Sequence, residues 1–546
     1  MKKTKKMLIM ILIICMWSTS LIGANANEKP VIPQYIEIGL HFGSSAKSVT
    51  YLKSTGGFIA GTYNNDSFQQ LVVLQGFNEL ILRKDAYYIN SGGSFVEYTG
   101  NVGQAGNLNL QGPYHVQVGG SFDSKDSAEA FMDTLQVKDT LYLAFEGEWK
   151  VFGGLYIDEA KAEKRAEEIK SETGLNTKAI VPSSKRVQVL DKDGTPIFVF
   201  DSQSGVYIKA FNDKGEVPLI NLEGRNFRGA ITAKRMDNND MAIINKLLLE
   251  EYLYGVVPKE MTPTWAPEAL KAQAVAARGF AITSMTKYLN MGFNLCSTIS
   301  SQVYEGYDIE HPNTNRAVDE TKNKIITHNG KAVTPFYHSN SGGQTENSEN
   351  IWSAALDYIK GKKDDYSLDA PNSNWTIVMS KEEVTNALNK EKIDVGEIID
   401  IKITEASSNG RVLKFVVTGT KGEEVLEKQR SRAVLGLKSS YFSLQQGGET
   451  TAMVRNATSQ PEAVNIQGKH VISESGTKKV ESTTNINVYN GKSYKSIKGT
   501  ADTFVFEGRG YGHGLGMSQY GAKRMAEMNY TYEEILTFYY TDIKVE

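Results

Sequence analysis

The spacing of apolar and polar positions divides the chain into stretches of different secondary structure. From about Pro33 to Tyr98 the pattern is that of strands: Tyr35-Ile36-Glu37-Ile38-Gly39-Leu40 alternates, and Gln70-Leu71-Val72-Val73-Leu74 carries a short apolar run. A repeated unit follows Gly112. Tyr114-His115-Val116-Gln117-Val118-Gly119-Gly120-Ser121-Phe122 precedes a helical stretch with Ala128-Glu129-Ala130-Phe131. Trp149-Lys150-Val151-Phe152-Gly153-Gly154-Leu155-Tyr156 precedes a second, with Ala162-Glu163-Lys164-Arg165-Ala166. The period is about 34 residues, and each copy reads as strand, Gly turn and helix. Two copies predict a small pseudo-symmetric α/β domain that ends in the strand Lys178-Ala179-Ile180-Val181.

From Arg186 the pattern is again that of strands, with turns at Lys192-Asp193-Gly194 and Lys214-Gly215. Lys246 to Leu253 predicts a short helix delivering a turn at Val256-Val257, and Pro267 opens a longer helix through Glu268-Ala269-Leu270-Lys271-Ala272-Gln273-Ala274-Val275-Ala276-Ala277-Arg278. Its alanines permit close packing against another element.

Composition narrows the function classes. With 546 residues the chain has room for two or three domains. Its formal net charge of −3 gives no global pointer to nucleic acid. Lys2, Lys3, Lys5 and Lys6 precede an apolar run from Met7 to Trp17 and the triplet Ala24-Asn25-Ala26, which together predict a cleavable signal peptide over 1–26. The run is short for a membrane span, so the mature chain is expected outside the cytoplasm, in the medium or the cell wall, with no integral anchor. Ile14 before Cys15 disfavours lipid attachment there. Removal of the signal leaves Cys296 as the single cysteine, which rules out an intrachain disulfide.

Candidate chemistry centres on Tyr254-Gly255-Val256-Val257-Pro258-Lys259-Glu260-Met261. Packed among Val256, Val257, Pro258 and Met261, the Glu260 carboxyl would be desolvated, and desolvation raises its pKa toward what a general acid needs near neutrality. A solvated glutamate before a helix is the alternative. Three clusters lie downstream: Ser300-Ser301-Gln302-Val303-Tyr304-Glu305-Gly306-Tyr307, Pro335-Phe336-Tyr337-His338-Ser339-Asn340-Ser341-Gly342-Gly343-Gln344-Thr345, and Gly508 to Ala522 with His513, Ser518 and Gln519 among glycines. Dense glycine lets backbone approach a ligand, and amides and rings suit a neutral polysaccharide. No Gly-Lys-Ser/Thr completes a phosphate loop.

These motifs, in this order, resemble the SpoIID/LytB family over about Gly229 to Glu546. The correspondence takes in Glu260, the helix from Ala269 to Arg278, Gln302-Val303-Tyr304, Tyr337-His338-Ser339 with Ser341-Gly342-Gly343, Arg432 with Leu435 to Ser439, Gly512-His513-Gly514 through Ala522, and the closing Tyr532 to Tyr540. The repeat at 112–182 resembles a SPOR-type glycan-binding domain, with a generic βα unit as the other reading. Phe122 and Tyr156 are either sugar-stacking rings or core. The expected fold is α+β: a SpoIID-type domain over 186–546, preceded by the repeat domain and a β-rich module at 27–110. Family members that bind zinc do so near the Gln-Val-Tyr motif, but Cys296 has no second cysteine beside it and His311 alone does not complete a site, so neither metal nor cofactor is expected. A Thr-, Ser- and Gly-rich insertion at about 445–498 departs from the family pattern, with Val471-Ile472 and Ile486 to Tyr489 as possible strands.

The resemblance implies lytic cleavage of peptidoglycan glycan strands, with Glu260 as acid and then base. Gln302, Tyr304, Tyr337, Ser339, Ser341, His513 and Gln519 would hold the sugar; His513 reads equally as a structural histidine bonded to loop carbonyls. Two other functions stay open: a non-catalytic enhancer that partners an N-acetylmuramoyl-L-alanine amidase, and a wall-binding protein in which Glu260 is inert.

Overall fold

The computed structural model describes residues 30–105, 108–211, 215–447 and 503–546, with short strands between 451 and 498. The expected signal peptide lies outside the described residues. Two large sheets organise the first half. One has seven strands in the order Leu295–Cys296, Tyr35–His41, Met241–Leu248, Ala230–Arg235, Val206–Ala210, Phe58–Asn64 and Ser67–Leu74. Ile36 and Ile38, the inward positions of the first predicted strand, are fully buried, as its alternation requires. Met241–Leu248 pairs with Tyr35–His41 on one side and Ala230–Arg235 on the other, and its unbroken burial from Met241 to Asn245 is that of a strand covered on both faces.

Of the residues expected as a β-rich module at 27–110, only Tyr88–Ser91 and Ser94–Glu97, with Leu110–Gln111, form a small sheet of their own, and the other strands join the two large sheets. Phe58–Asn64 pairs with Val206–Ala210, and Glu79–Lys84 pairs with Arg186–Leu190, so strands from before and after the repeat are interleaved. The apolar faces of these strands are each too small to bury alone; pairing across the chain closes one core containing Leu80, Leu82, Val187, Val189, Ile231 and Ile243.

The repeat forms strand, helix, strand, strand, helix, strand. α1 (Lys125–Asp133) and α2 (Glu159–Thr173) lie between Tyr114–Phe122, Leu141–Phe145, Trp149–Tyr156 and Thr177–Ile180. These strands run Thr177–Ile180, Tyr114–Phe122, Trp149–Tyr156, Leu141–Phe145 across the sheet, a split βαβ arrangement, and Leu141–Phe145 then pairs with Pro196–Asp201 to continue a ten-stranded sheet. Ser124 caps α1 and Asp158 caps α2 through side-chain oxygens. The two Gly pairs are not equivalent: the left-handed residue is the first of one pair, Gly119 at φ +78°, and the second of the other, Gly154 at φ +70°. Each lies against a ring, Phe131 and Tyr156 respectively, where a Cβ would collide. Phe122 packs 5.0 Å from Phe131, and the Tyr156 hydroxyl donates to Asp139 at 2.5 Å, so both rings are packed into the unit.

Neither sheet face of this unit is open. α1 and α2 pack on one, through Val116, Val118, Ala162 and Ile169. The other carries a buried polar cluster around Asp85, whose carboxylate accepts from Arg186 (2.6 Å), Gln188 (2.7 Å), His115 Nε2 (2.9 Å) and the Ser183 N–H (2.9 Å). Burial pushes the Asp85 carboxyl up, but His115, Arg186 and the Ser183 amide outweigh it and hold it below the usual range.

In the second half, α3 (Leu249–Glu260) and α4 (Pro267–Thr283) pack together beside the seven-stranded sheet. The expected helix at Lys246–Leu253 is corrected at both ends. Lys246-Leu247-Leu248 completes a strand paired with Glu37, Ile36 and Tyr35, and the helix then continues through Val256-Val257-Pro258 to Glu260. Arg278 staples the two helices: fully buried, it grips both Glu250 oxygens with Nε and NH2 and donates to the carbonyls of Val318 and Lys324. Residues 375–447 and 503–508 add a separate small core with Phe415, Leu426, Phe442 and Phe506. Phe442–Gly447 pairs with Thr503–Gly508, so the segment expected as an insertion leaves and re-enters the fold at one place. Its described strands, His470–Ser473 and Asn485–Tyr489 among them, take in both expected ones.

Candidate active site

Glu260 is the last residue of α3. Tyr252, Leu253, Val256 and Val257 bury the inner face of that helix, and Met261 turns extended, which leaves the Glu260 side chain at the exit. Its carboxylate accepts from Gln519 Nε2 at 3.2 Å and from the Tyr337 hydroxyl. Burial raises its pKa, and the Gln519 and Tyr337 hydrogen bonds only partly oppose that. Its seat at the C-terminal end of α3, the negative end of the helix dipole, works in the same direction as burial.

Two chains of donors converge on this carboxylate. Tyr252 Oη donates to Gln302 Oε1 (3.2 Å), Gln302 Nε2 donates to Tyr337 Oη (3.0 Å), and Tyr337 donates to Glu260. Burial first, and then the Glu260 charge, raise the Tyr337 phenol well above its ordinary value, so it stays a donor. On the other side Gln519 Nε2 also donates to Gln273 Oε1 at 3.3 Å. The parallel pairing of Tyr337–His338 with Met517–Ser518 brings these two sides together from sites far apart in sequence, and Ser518 caps the helix Gln519–Glu527. Among the described residues the hydrogen-bond partners of Glu260 are neutral, so the site can lend or take a proton without breaking an ion pair.

The other expected sugar ligands take different places. Tyr304 is core: its ring packs on Tyr252 and Phe227 and against Gly255, and its hydroxyl donates to Asn245 Oδ1 at 2.9 Å. Ser341 is buried in a second polar cluster, donating to Asp364 Oδ2 at 2.7 Å beside Ser367. Ser339 lies at the end of the Tyr337 strand, and its carbonyl accepts the Tyr520 N–H at 3.0 Å next to Gln519. His513 organises its loop. Its Nδ1 accepts the Leu515 N–H at 3.0 Å, which assigns the proton to Nε2; burial, then Arg411 and Arg432, push its pKa down to about 3. Gly514 has φ +85°, and a Cβ there would lie 2.2 Å from an Arg411 nitrogen, so the loop closes over that guanidinium only with glycine. Gly512 N–H donates to Lys438 O, and Trp375 Nε1 donates to Gly510 O, which pins the loop from the later segment.

Gln273 and Tyr252 are site residues that the pattern reading assigned to structure. The signal for Gln273 was present: a single amide among alanines, now fully buried one hydrogen bond from Gln519. Among the described residues no group of three or more His, Cys, Asp or Glu is placed to hold a metal ion. The Cys296 thiol lies 3.3 Å from Thr298 and Ser301 hydroxyls, while His311 Nδ1 caps the helix Pro312–Glu320.

Residues 237–328 match the family described as stage II sporulation protein, and residues 344–469 match a domain of unknown function. An amidase enhancer of Bacillus subtilis (strain 168) is 33% identical over 294 residues, 53% of this chain and 39% of that protein. Stage II sporulation protein D of the same organism is 28% identical over 319 residues, 55% of this chain and 75% of its own length. An uncharacterized protein of Brachyspira hyodysenteriae is 28% identical over 309 residues, 56% of this chain and 69% of that one. The chain therefore spans about two fifths of the amidase enhancer it matches. With Gln302, Tyr337 and Gln519 gathered around Glu260 and with these matches, the chain carries a SpoIID family domain over residues 237–328 and is similar to proteins of the SpoIID/LytB family.

Proposed function

We propose that this chain acts on the cell wall from outside the cytoplasm, as a lytic transglycosylase that cleaves peptidoglycan glycan strands. The observation that carries the reading is Glu260: a carboxyl raised by burial and held, among the described residues, by the neutral donors Gln519 and Tyr337. Protonated Glu260 gives its proton to the glycosidic oxygen as the bond to the muramic C1 breaks. The substrate's own C6 hydroxyl oxygen then bonds to C1, and its proton returns to the Glu260 carboxylate, leaving a 1,6-anhydro end. Because the nucleophile is part of the sugar, no second carboxylate has to activate water, and one recycled group serves as acid and base. Glycosidases that use water or an enzyme nucleophile need a pair of carboxylates.

The similarity to an amidase enhancer favours a second reading, in which the chain binds the wall and stimulates an N-acetylmuramoyl-L-alanine amidase without cleaving glycan. One experiment separates the two. Purified wild type and Glu260→Ala are incubated with glycan strands freed of stem peptides, and 1,6-anhydromuramyl ends are sought by mass spectrometry. Ends from wild type alone support the acid/base role. Equal product from both removes Glu260 from it, and no product beside intact amidase stimulation makes the chain an enhancer.

A further inference from the structure

An aromatic pair is carried by the segments that follow Glu260 and its donor Gln519 in the chain, and it takes no part in the donor chains described above. Trp265 follows Glu260 by five positions, in the connection from α3 to α4, and its ring centroid is 5.0 Å from that of Tyr520, the neighbour of Gln519 in the first turn of its helix. Both rings are half-buried. The Trp265 N–H donates to Thr262 O, and the Tyr520 N–H donates to Ser339 O, each at 3.0 Å, so the backbone beneath each ring is fixed. One side of Trp265 packs on the core around Met261, Ala269 and Met525. The Lys523 ammonium, paired with Glu527, lies 5.9 Å from its ring.

The arrangement sets half-buried ring surface on the same segments that carry the Glu260–Gln519 hydrogen bond. Glu260 and Gln519 present hydrogen-bonding groups, while Trp265 and Tyr520, each one short connection away, present ring surface. Pyranose rings have the matching character: one face of C–H groups that packs on an aromatic ring, and an edge of hydroxyl and acetamido groups that hydrogen-bonds. We propose that Trp265 and Tyr520 form a sugar-stacking subsite for an N-acetylhexosamine ring, placing the neighbouring glycosidic bond at Glu260. This rests on the reading of the Glu260 groove as a glycan site, and it adds the specificity-determining wall of that groove. A pair that merely closes the core would leave glycan affinity untouched when altered.

Binding of glycan strands freed of stem peptides is measured by titration calorimetry on the full chain carrying Glu260→Ala, so that ligand is not turned over. KM and kcat are measured with Glu260 in place. Trp265→Ala and Tyr520→Ala are expected to weaken binding roughly two- to tenfold and to raise KM by the same factor at unchanged kcat, the size and signature of a lost stacking contact that serves substrate and transition state alike. Trp265→Phe, which keeps a ring, should retain most of the affinity. Tyr520→Leu, at a half-exposed first-turn position, is the second variant should Trp265→Ala fail to fold. Folded variants that bind as tightly as the parent overturn the subsite, as does a parent that binds no strand. Binding lost with Trp265, in a protein whose wild type forms no anhydro ends, keeps the subsite and removes the cleavage reaction. Anhydro ends formed with an unchanged KM do the reverse.

Discussion

Glu260 and Asp85 are two carboxylates withdrawn from water in one chain, and they are shifted in opposite directions. Asp85 is ringed by four donors, among them the Arg186 guanidinium and the His115 imidazole, and stays ionised below the usual range despite complete burial. Glu260 has two neutral donors, and burial prevails. The first carboxylate is architecture, since losing its charge would leave the buried donors of Arg186, Gln188 and His115 without their shared acceptor. The second is poised to exchange a proton. Asp364 shows that direction alone does not identify the acid: burial also raises its pKa, over the hydrogen bonds of Ser341, Tyr539 and Ser367, but it is fully enclosed. Glu260 combines a raised pKa with a half-buried position at the exit of a helix, bonded to Gln519.

The largest effect expected at either site is on rate. Glu260→Gln keeps shape and hydrogen bonding but cannot donate a proton, and should lose about two to four decades of anhydro-end formation, read by mass spectrometry. Asp85→Ala should act on the fold instead, costing about 3–5 kcal/mol in denaturant unfolding because it breaks a buried ion pair and leaves the donors of Arg186, Gln188 and His115 without their shared acceptor, Arg186 keeping only Glu146 as a charge partner. Equal stability of that variant and the wild type would remove the architectural role. Smaller, and aimed at Tyr304, is Tyr304→Phe: it leaves the buried Asn245 oxygen short of a donor, costs about 1–3 kcal/mol, and leaves kcat unchanged. A fall in kcat at unchanged stability would return Tyr304 to the sugar site.

The smallest effect is in the pH dependence of stability. A carboxyl with a raised folded pKa disfavours the fold only where it is ionised, so its cost is absent below its unfolded pKa and grows as pH rises through the folded one. Glu260→Gln should therefore unfold at a higher temperature than wild type at neutral pH and at the same temperature near pH 4, read by thermal melts. His513 works with the opposite sign: with a pKa lowered to about 3, it remains neutral, and its contribution to stability is lost as pH falls from about 6.5. The same carboxyl sets the activity profile, since the acid must begin protonated: the rate of cleavage should decline as pH rises past the raised Glu260 pKa.

Elements with a local signal were legible in the chain. The strand alternation at Tyr35 to Leu40, the repeat with its two helices and the Pro267 helix are all present. Pairing across distance was not. Nothing local in Lys246-Leu247-Leu248 marks it as a strand end, because the choice was made by Tyr35-Ile36-Glu37, about two hundred residues earlier, offering a free edge. The same holds for 27–110, whose strands looked like a module but mostly join two large sheets with later strands, beside one small sheet of their own. Within the site, motif membership did not distinguish ligand from support. Tyr304 and Gln302 stand two residues apart and are both buried against Tyr252, yet one is bonded to Asn245 and the other to Tyr337, a difference set by partners distant in the chain.

The amino-acid sequence by itself determined the kinds of element, the presence of a lone acid among apolar neighbours, and the family to which the motifs belong, since each depends on residue type and short spacing. Only the tertiary structure decided which donors reach Glu260 and which carboxylates stay charged. A pKa in a folded chain depends on burial and on partners brought from Gln519, Tyr337, Arg186 and His115 by the pairing of distant strands, and that proximity is not written in any one segment.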